Sequence, residues 1–239
     1  GDMPDTSLPK PLCFEEVISS EASSISWPNL DERAASSLCY TSGTTGNPKG
    51  VLYSHRSILL HTFGMLTFAA DVGLTPSSTV LPVVPLFHAN AWGLPFAVPL
   101  VGAKLVFPGA ALDGASLFSL MDRERVKAAW GVPTIWLGLL AEMRKQKRKP
   151  QDFSFMLSGG SAVPRSMIQE LEKEFGVDVT HGWGMTECSP VGSTTTLGSQ
   201  AKELSFDEKV ELKTSQGRRM YTVDMRIIGE DGKLLPHDG

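Results

Sequence analysis

The residues best suited to chemistry stand in Tyr40-Thr41-Ser42-Gly43-Thr44-Thr45-Gly46-Asn47-Pro48-Lys49-Gly50, which holds four Ser/Thr hydroxyls, three glycines and one lysine. Glycine lets backbone N–H groups turn inward and come close to a ligand. Successive inward N–H groups make an anion nest. The hydroxyls add donors, and Lys49 adds a compact positive charge suited to phosphate. The chemistry this describes is the holding of a polyphosphate. The stretch is not a Walker loop, G-x-x-x-x-G-K-[ST]: Gly46 comes three places after Gly43, Pro48 precedes Lys49 and Gly50 follows it. A flexible Ser/Thr/Gly linker is the alternative for this composition. A linker needs no lysine, however, and does not usually lie between a strand and a helix.

Three more segments place polar or bare positions at the ends of apolar runs. Residues 79–84 deliver Pro85-Leu86-Phe87-His88-Ala89-Asn90-Ala91-Trp92. An apolar strand ending in a histidine and an indole suits the rim of a pocket in an open α/β sheet; the alternative is a core aromatic cluster, which is the reading for Phe87. Residues 153–157 feed Ser158-Gly159-Gly160-Ser161-Ala162, where a double glycine sets bare backbone at a sheet edge, suited to a flat ligand. Residues 177–180 end in His181-Gly182-Trp183-Gly184-Met185-Thr186-Glu187. Thr186 offers a hydroxyl to a phosphate oxygen, and Glu187 a carboxylate to a hard cation such as Mg²⁺. Taken alone, Glu187 also reads as a surface glutamate.

The elements that position these groups follow from pattern. A short strand, 37–40, precedes the hydroxyl-rich loop. A buried helix over 57–70 follows, with Ile58, Leu59, Phe63, Leu66 and Phe68 for packing and Ser54 as a cap. His55 and His61 read as packing or surface histidines rather than ligands. Further strands are expected at 104–107, 128–132 and 221–228. Residues 113–126 read as an amphipathic helix with Leu117, Leu120 and Met121 inward. Pro133 opens a helix at its first position, and the basic run 144–149 reads as its solvated end, favourable to the dipole. Pro164 starts a helix over 165–175. Residues 193–216 read as a polar, mobile connection with one helical piece, 205–212, and 230–233 as a hairpin turn. Strands alternating with helices indicate α/β, with two partly parallel sheets packed by helices. Residues 1–36 read as an irregular lead-in and 37–239 as the domain.

The 239 residues are 41% hydrophobic and 20% charged, with a net charge of −4. That suffices for a good core and argues against nucleic acid or an anionic membrane as the main partner. No apolar run approaches the roughly 20 residues of a membrane span, and no signal peptide is read at the start. Cys13, Cys39 and Cys188 are odd in number and lack metal or redox spacing; reduced thiols in the cytoplasm are the simplest reading.

The loop, the Pro85–Trp92 segment and the His181–Glu187 segment, in that order, resemble the signatures of the adenylate-forming superfamily: acyl-CoA synthetases, luciferases and peptide-synthetase adenylation domains. The resemblance runs from about Leu38 to Gly239 and is closest to the medium- and long-chain fatty acyl-CoA synthetases and the methylthiopropionate-CoA ligase branch. The chain departs at Trp183, where the family usually has tyrosine; either ring can stack on a purine. The resemblance implies the core of a large N-terminal domain, two mixed sheets packed with helices in αβαβα layers. The upstream subdomain, the ribose-binding Thr-Gly-Asp motif and the mobile C-terminal domain with the adenylation lysine would lie outside this chain.

It implies an AMP-forming acid–CoA ligase that uses ATP, Mg²⁺ and CoA on a carboxylic, expected fatty, acid. Thr41, Ser42, Gly43, Thr44, Thr45, Gly46 and Lys49 would hold the phosphates, and Thr41 and Glu187 the Mg²⁺. Gly159, Gly160, Ser161, His181, Gly182 and Trp183 would hold the adenine, Thr186 the α-phosphate. Lys49, Thr186 and Glu187 would carry the catalysis. His88 and Trp92 would line the acyl pocket, with Trp92 gating a fatty-acid tunnel. Such a core fragment is expected to be weak or inactive alone; a homodimer is left open. The alternatives are an adenylation domain or luciferase-like member, and a non-catalytic nucleotide-binding module.

Overall fold

A computed structural model of the protein describes residues 6, 7, 9–41 and 46–236. The chain divides into two units, Gly1–Asp31 and Glu32–Gly239. The first holds one short helix, α1 (Phe14–Ser19), with no buried residue.

The second unit begins with β1 (Ala35–Tyr40) and β2 (Gly50–Ser54), an antiparallel pair with Tyr40 opposite Gly50. The hydroxyl-rich stretch is therefore the loop of a hairpin. The Thr41 N–H donates to the Lys49 carbonyl at 2.9 Å and closes its neck. Ser42, Gly43, Thr44 and Thr45 lie outside the described residues. Ser54 accepts from the Ser57 N–H and caps α2 (His55–Leu66). β3 (Thr79–Pro82) leads to α3 (Ala89–Trp92), a single turn, and Gly93 joins it to α4 (Leu94–Leu100). There follow β4 (Lys104–Leu105), α5 (Gly114–Glu124) capped by Asp113, β5 (Ala128–Gly131) and α6 (Pro133–Gln146). Then come β6 (Phe155–Ser158), α7 (Arg165–Lys173), β7 (Asp178–Gly184), β8 (Val191–Thr194), α8 (Phe206–Thr214) and β9 (Arg218–Arg219).

Seven strands make one mixed sheet in the order β4-β3-β5-β6-β7-β8-β9. β4 to β7 run parallel; β8 and β9 are antiparallel additions on the far side of β7. Parallel neighbours need crossover connections, which α6 and α7 supply. Side chains alternate across a strand, so the parallel strands feed two cores. Leu81, Ala129, Met156 and Val179 join Leu117, Leu139 and Ile168 of α5, α6 and α7. Val80, Trp130 and Leu157 join Met65 of α2 and Leu94 and Val98 of α4. The fold is α/β, with sheets packed by helices, as the sequence leads one to expect. Among the described residues the second sheet is the β1–β2 ribbon.

Several local expectations change. On α2 it is Ile58, His61, Thr62 and Met65 that turn inward, leaving Leu59 and Phe63 each 49% exposed. Phe87 is 81% exposed rather than part of a core. The start of the stretch read as a polar connection is the buried strand β8, whose Ser193 and Thr194 lose their backbone polarity to ladders with β7 and β9. Residues 221–228 form no strand; Ile228 makes an isolated bridge to Leu234 around the expected turn. α8 is anchored by Lys213, buried with its ammonium on Glu172 of α7 and, at 2.6 Å, on Asp178 of β7.

Candidate functional site

The carboxyl ends of the parallel strands are where an open α/β sheet offers a crevice. Here the ends of β6 and β7, with the residue after β5 and the turn after β3, surround a cavity of about 200 Å³. His88, Ala89 and Trp92 border one side, Gly159 and Gly160 another, and Gly182, Trp183, Gly184 and Thr186 a third; Val132, Leu157 and Val191 are among its apolar lining. Ser158 pairs with His181, so the double glycine and the Gly182-Trp183 segment leave the sheet side by side. Bare backbone is a requirement there. A Cβ on Gly159 would stand 2.8 Å from the Gly182 carbonyl oxygen, and Gly160 has a φ of +79°, open to glycine without strain.

Two indoles shape the space. Trp183 is 37% exposed, and its ring lies so close to Gly192 that a Cβ there would stand 2.7 Å from it. Trp92 is buried; its ring is 3.4 Å from the position a Gly159 Cβ would take and 3.9 Å from that of Gly160. Trp92 belongs to a turn whose residues Ala89, Asn90, Ala91 and Trp92 have φ of +47°, +50°, +46° and +57°. That conformation is disfavoured by roughly 1–2 kcal/mol per ordinary L residue.

Of the residues singled out in the sequence, His88, Trp92, Gly159, Gly160, Gly182, Trp183 and Thr186 line this one cavity. His181 does not. Gly182 takes the cavity side of β7, so the buried His181 ring lies on the other face of the strand, its Nδ1 3.2 Å from the Thr214 carbonyl. Ser161 is exposed and outside the lining, as is Glu187 on the turn beginning at Thr186. Gly46 and Lys49 are exposed in the hairpin loop, and Thr41 is half-buried with its hydroxyl 3.4 Å from the Lys49 backbone.

Three residues to which the sequence assigns no role at the site tie it together: Tyr53, Asn90, and His61, which is buried as a packing histidine. The Tyr53 hydroxyl donates to the Thr186 carbonyl at 2.6 Å; burial, then the nearby Cys39, Glu187 and Cys188, push its pKa well above the ordinary phenol value. Asn90 Nδ2 donates to Ser37 Oγ at 2.9 Å. His61 Nε2 accepts from the Val191 N–H at 3.1 Å, and burial lowers its pKa to about 4. Only Asn90 left a signal in the sequence: asparagine tolerates the left-handed region and here stands three residues before a glycine.

Among the described residues no three His, Cys, Asp or Glu side chains cluster to hold a metal. A lone carboxylate such as Glu187 fits Mg²⁺ in one way, as a partner to a cation carried mainly by phosphate oxygens and water. No helix among the described residues is long and apolar enough to cross a membrane.

Residues 5–239 match the family described as AMP-binding enzyme. The chain belongs to the AMP-binding enzyme family. Over 233 residues, 97% of this chain and 42% of the relative, it is 51% identical to the medium-chain-fatty-acid–CoA ligase of Ectopseudomonas oleovorans. Over 226 residues, 95% of the chain and 42% of the relative, it is 47% identical to the 3-methylmercaptopropionyl-CoA ligase of Ruegeria pomeroyi. In fold it is similar to the anthranilate CoA ligase AuaEII solved with anthranoyl-AMP, at a TM-score of 0.80 and 22% identity, covering 99% of this chain and 43% of that one. This member of the AMP-binding enzyme family thus spans about two fifths of the length of the curated relatives it matches.

Proposed function

We propose that the full-length protein is an AMP-forming acid–CoA ligase acting in the cytoplasm on an apolar, fatty carboxylic acid. The observation that carries this reading is the meeting, round one cavity, of a glycine-edged half bearing Trp183 and Thr186 with a half bearing His88 and Trp92. A reaction between a nucleotide and an apolar acid needs both held in line at one point.

In this reading the Gly159-Gly160 edge, Gly182 and Trp183 take the adenine, and the Thr186 hydroxyl donates to the α-phosphate. The loop from Thr41 to Lys49 holds the remaining phosphates. Glu187 and Thr41 ligate Mg²⁺, which neutralises charge on the phosphate oxygens when bound. His88 and Trp92 border the acid, whose carboxylate attacks the α-phosphorus as pyrophosphate leaves; the CoA thiol then displaces AMP. The names of the two curated relatives, a medium-chain-fatty-acid–CoA ligase and a 3-methylmercaptopropionyl-CoA ligase, support a fatty or similarly apolar acid.

Mass spectrometry of the full-length protein with ATP, CoA and a panel of carboxylic acids tests this. Acyl-CoA and AMP formed from at least one fatty acid is the expected result. Nucleotide binding with no acid-dependent AMP across the panel would instead leave a non-catalytic nucleotide-binding module.

A further inference from the structure

We infer that Asn90 is a positioning residue that fixes Trp92 across the double glycine, and through it what the acid side of the cavity admits. The turn Ala89–Trp92 is left-handed throughout, and of its residues only asparagine is suited to that region. Something beyond the turn must hold it. Ala89 and Ala91 are buried but carry nothing that can bond. Asn90 reaches out to β1: its Nδ2 donates to Ser37 Oγ at 2.9 Å, and the Cys39 thiol meets its Oδ1 at 3.5 Å. Positions 37 and 39 share one face of a strand, so both ends of the amide are taken by the same face of β1.

The other end of the turn is pinned as well. Gly93 follows Trp92 with a φ of +82°, and a Cβ there would stand 2.7 Å from the His61 ring. Trp92 therefore lies between a hydrogen-bonded anchor and a glycine that admits no side chain. From there the indole lies over Gly159 and Gly160. β1 runs directly into Thr41, whose N–H closes the neck of the hydroxyl-rich loop. The strand that leads into the loop is thus the strand that holds the wall of the acid side, and a shift of β1 reaches Trp92 through one amide. The placement of Trp92 stands on geometry alone; the consequence for acid choice rests on the acid–CoA ligase reading above.

The test uses full-length protein with its tryptophans, among them the five of this chain, replaced by 5-fluorotryptophan, the Trp92 fluorine resonance being assigned from Trp92→Phe. Asn90→Ala removes both contacts, Ser37→Ala removes the acceptor from the other side, and Asn90→Asp keeps the shape while accepting from the Ser37 hydroxyl. In the two alanine variants the Trp92 resonance is expected to shift and broaden while those of Trp130 and Trp136 stay. The aspartate should restore it. The same two alanine variants should raise kcat/KM several-fold for the acids the wild type uses worst. An unmoved Trp92 resonance in Ser37→Ala, or the Trp130 and Trp136 resonances moving together with it, overturns the inference. If the protein activates no acid at all, the ligase reading falls while the fluorine spectra still decide the role of Asn90.

Discussion

The Tyr53 hydroxyl donates to the carbonyl of Thr186 across 2.6 Å, joining the second strand of the hairpin to the turn after β7. Tyr53 is 2% exposed, and like any phenol it keeps its proton, and so its donor role, at neutral pH. Tyr53→Phe deletes this bond and nothing else. The expected result is a loss of about 1 kcal/mol in stability, with a larger rise in KM for MgATP than for the acid. Thermal melts and steady-state kinetics check it; equal changes in both KM values would reduce the bond to a support for the fold.

Glu187 stands exposed beside Thr186. Glu187→Gln keeps its shape and removes the negative charge a hard cation needs. Adenylation is expected to be lost, with the melt unchanged and adenine-nucleotide binding largely retained. A Mg²⁺ titration of acid-dependent pyrophosphate exchange reads the difference, and the wild-type dependence persisting in the variant removes Glu187 from the metal.

Trp92 is both buried in a core cluster and part of the cavity lining. Truncating a closed-in tryptophan is destabilising by roughly 3–5 kcal/mol. In Trp92→Ala the vacated space joins the cavity, so a smaller loss is expected together with an altered chain-length preference. Melts and an activity series over acid length decide it; a full-sized melt loss with an unaltered profile would sink the gating role.

His61 carries a pH dependence with a definite sign. Its pKa falls from 6.5 in the unfolded chain to about 4 in the fold because the ring is buried. Between those values the unfolded state binds a proton that the folded state does not, so stability is full above about pH 6.5 and is lost as pH falls toward 4. That gap corresponds to roughly 3 kcal/mol. His61→Gln keeps an acceptor for the Val191 N–H and cannot titrate. Urea midpoints measured from pH 4 to 7 should slope less in the variant; parallel slopes would place the acid sensitivity elsewhere.

The parallel part of the sheet was legible because its strands are buried runs closed by motifs or by prolines, as at Gly131 before Pro133. So was the gathering of Gly159, Gly160, Gly182, Trp183 and Thr186, since each stands just past such a run. What stayed hidden depends on partners far away in sequence. Nothing near Tyr53 announces Thr186, and nothing near Lys213 announces Glu172 and Asp178. The sequence places His181 at the cavity with its neighbours, yet its ring is buried away from it, against the Thr214 carbonyl at the end of α8. On α2, Leu59 and Phe63 carried the apolar signal while the less apolar His61 and Thr62 took the inward face.

The strand directions also set an expectation for the order in which the site assembles. β1–β2 and β7–β8 are antiparallel neighbours in sequence, so the turns carrying Lys49 and Glu187 close over short loops with little entropy to overcome. The glycine edge requires β6 beside β7 in parallel, across the whole of α7, and non-local pairing of this kind is intrinsically slower. The turns carrying Lys49 and Glu187 are thus expected to form early, as local units, and the seam between β6 and β7 late. A flat ligand seated on Gly159, Gly160 and Gly182 would then act as a clasp on the last-formed seam, slowing amide exchange in β6 and β7 more than in either hairpin.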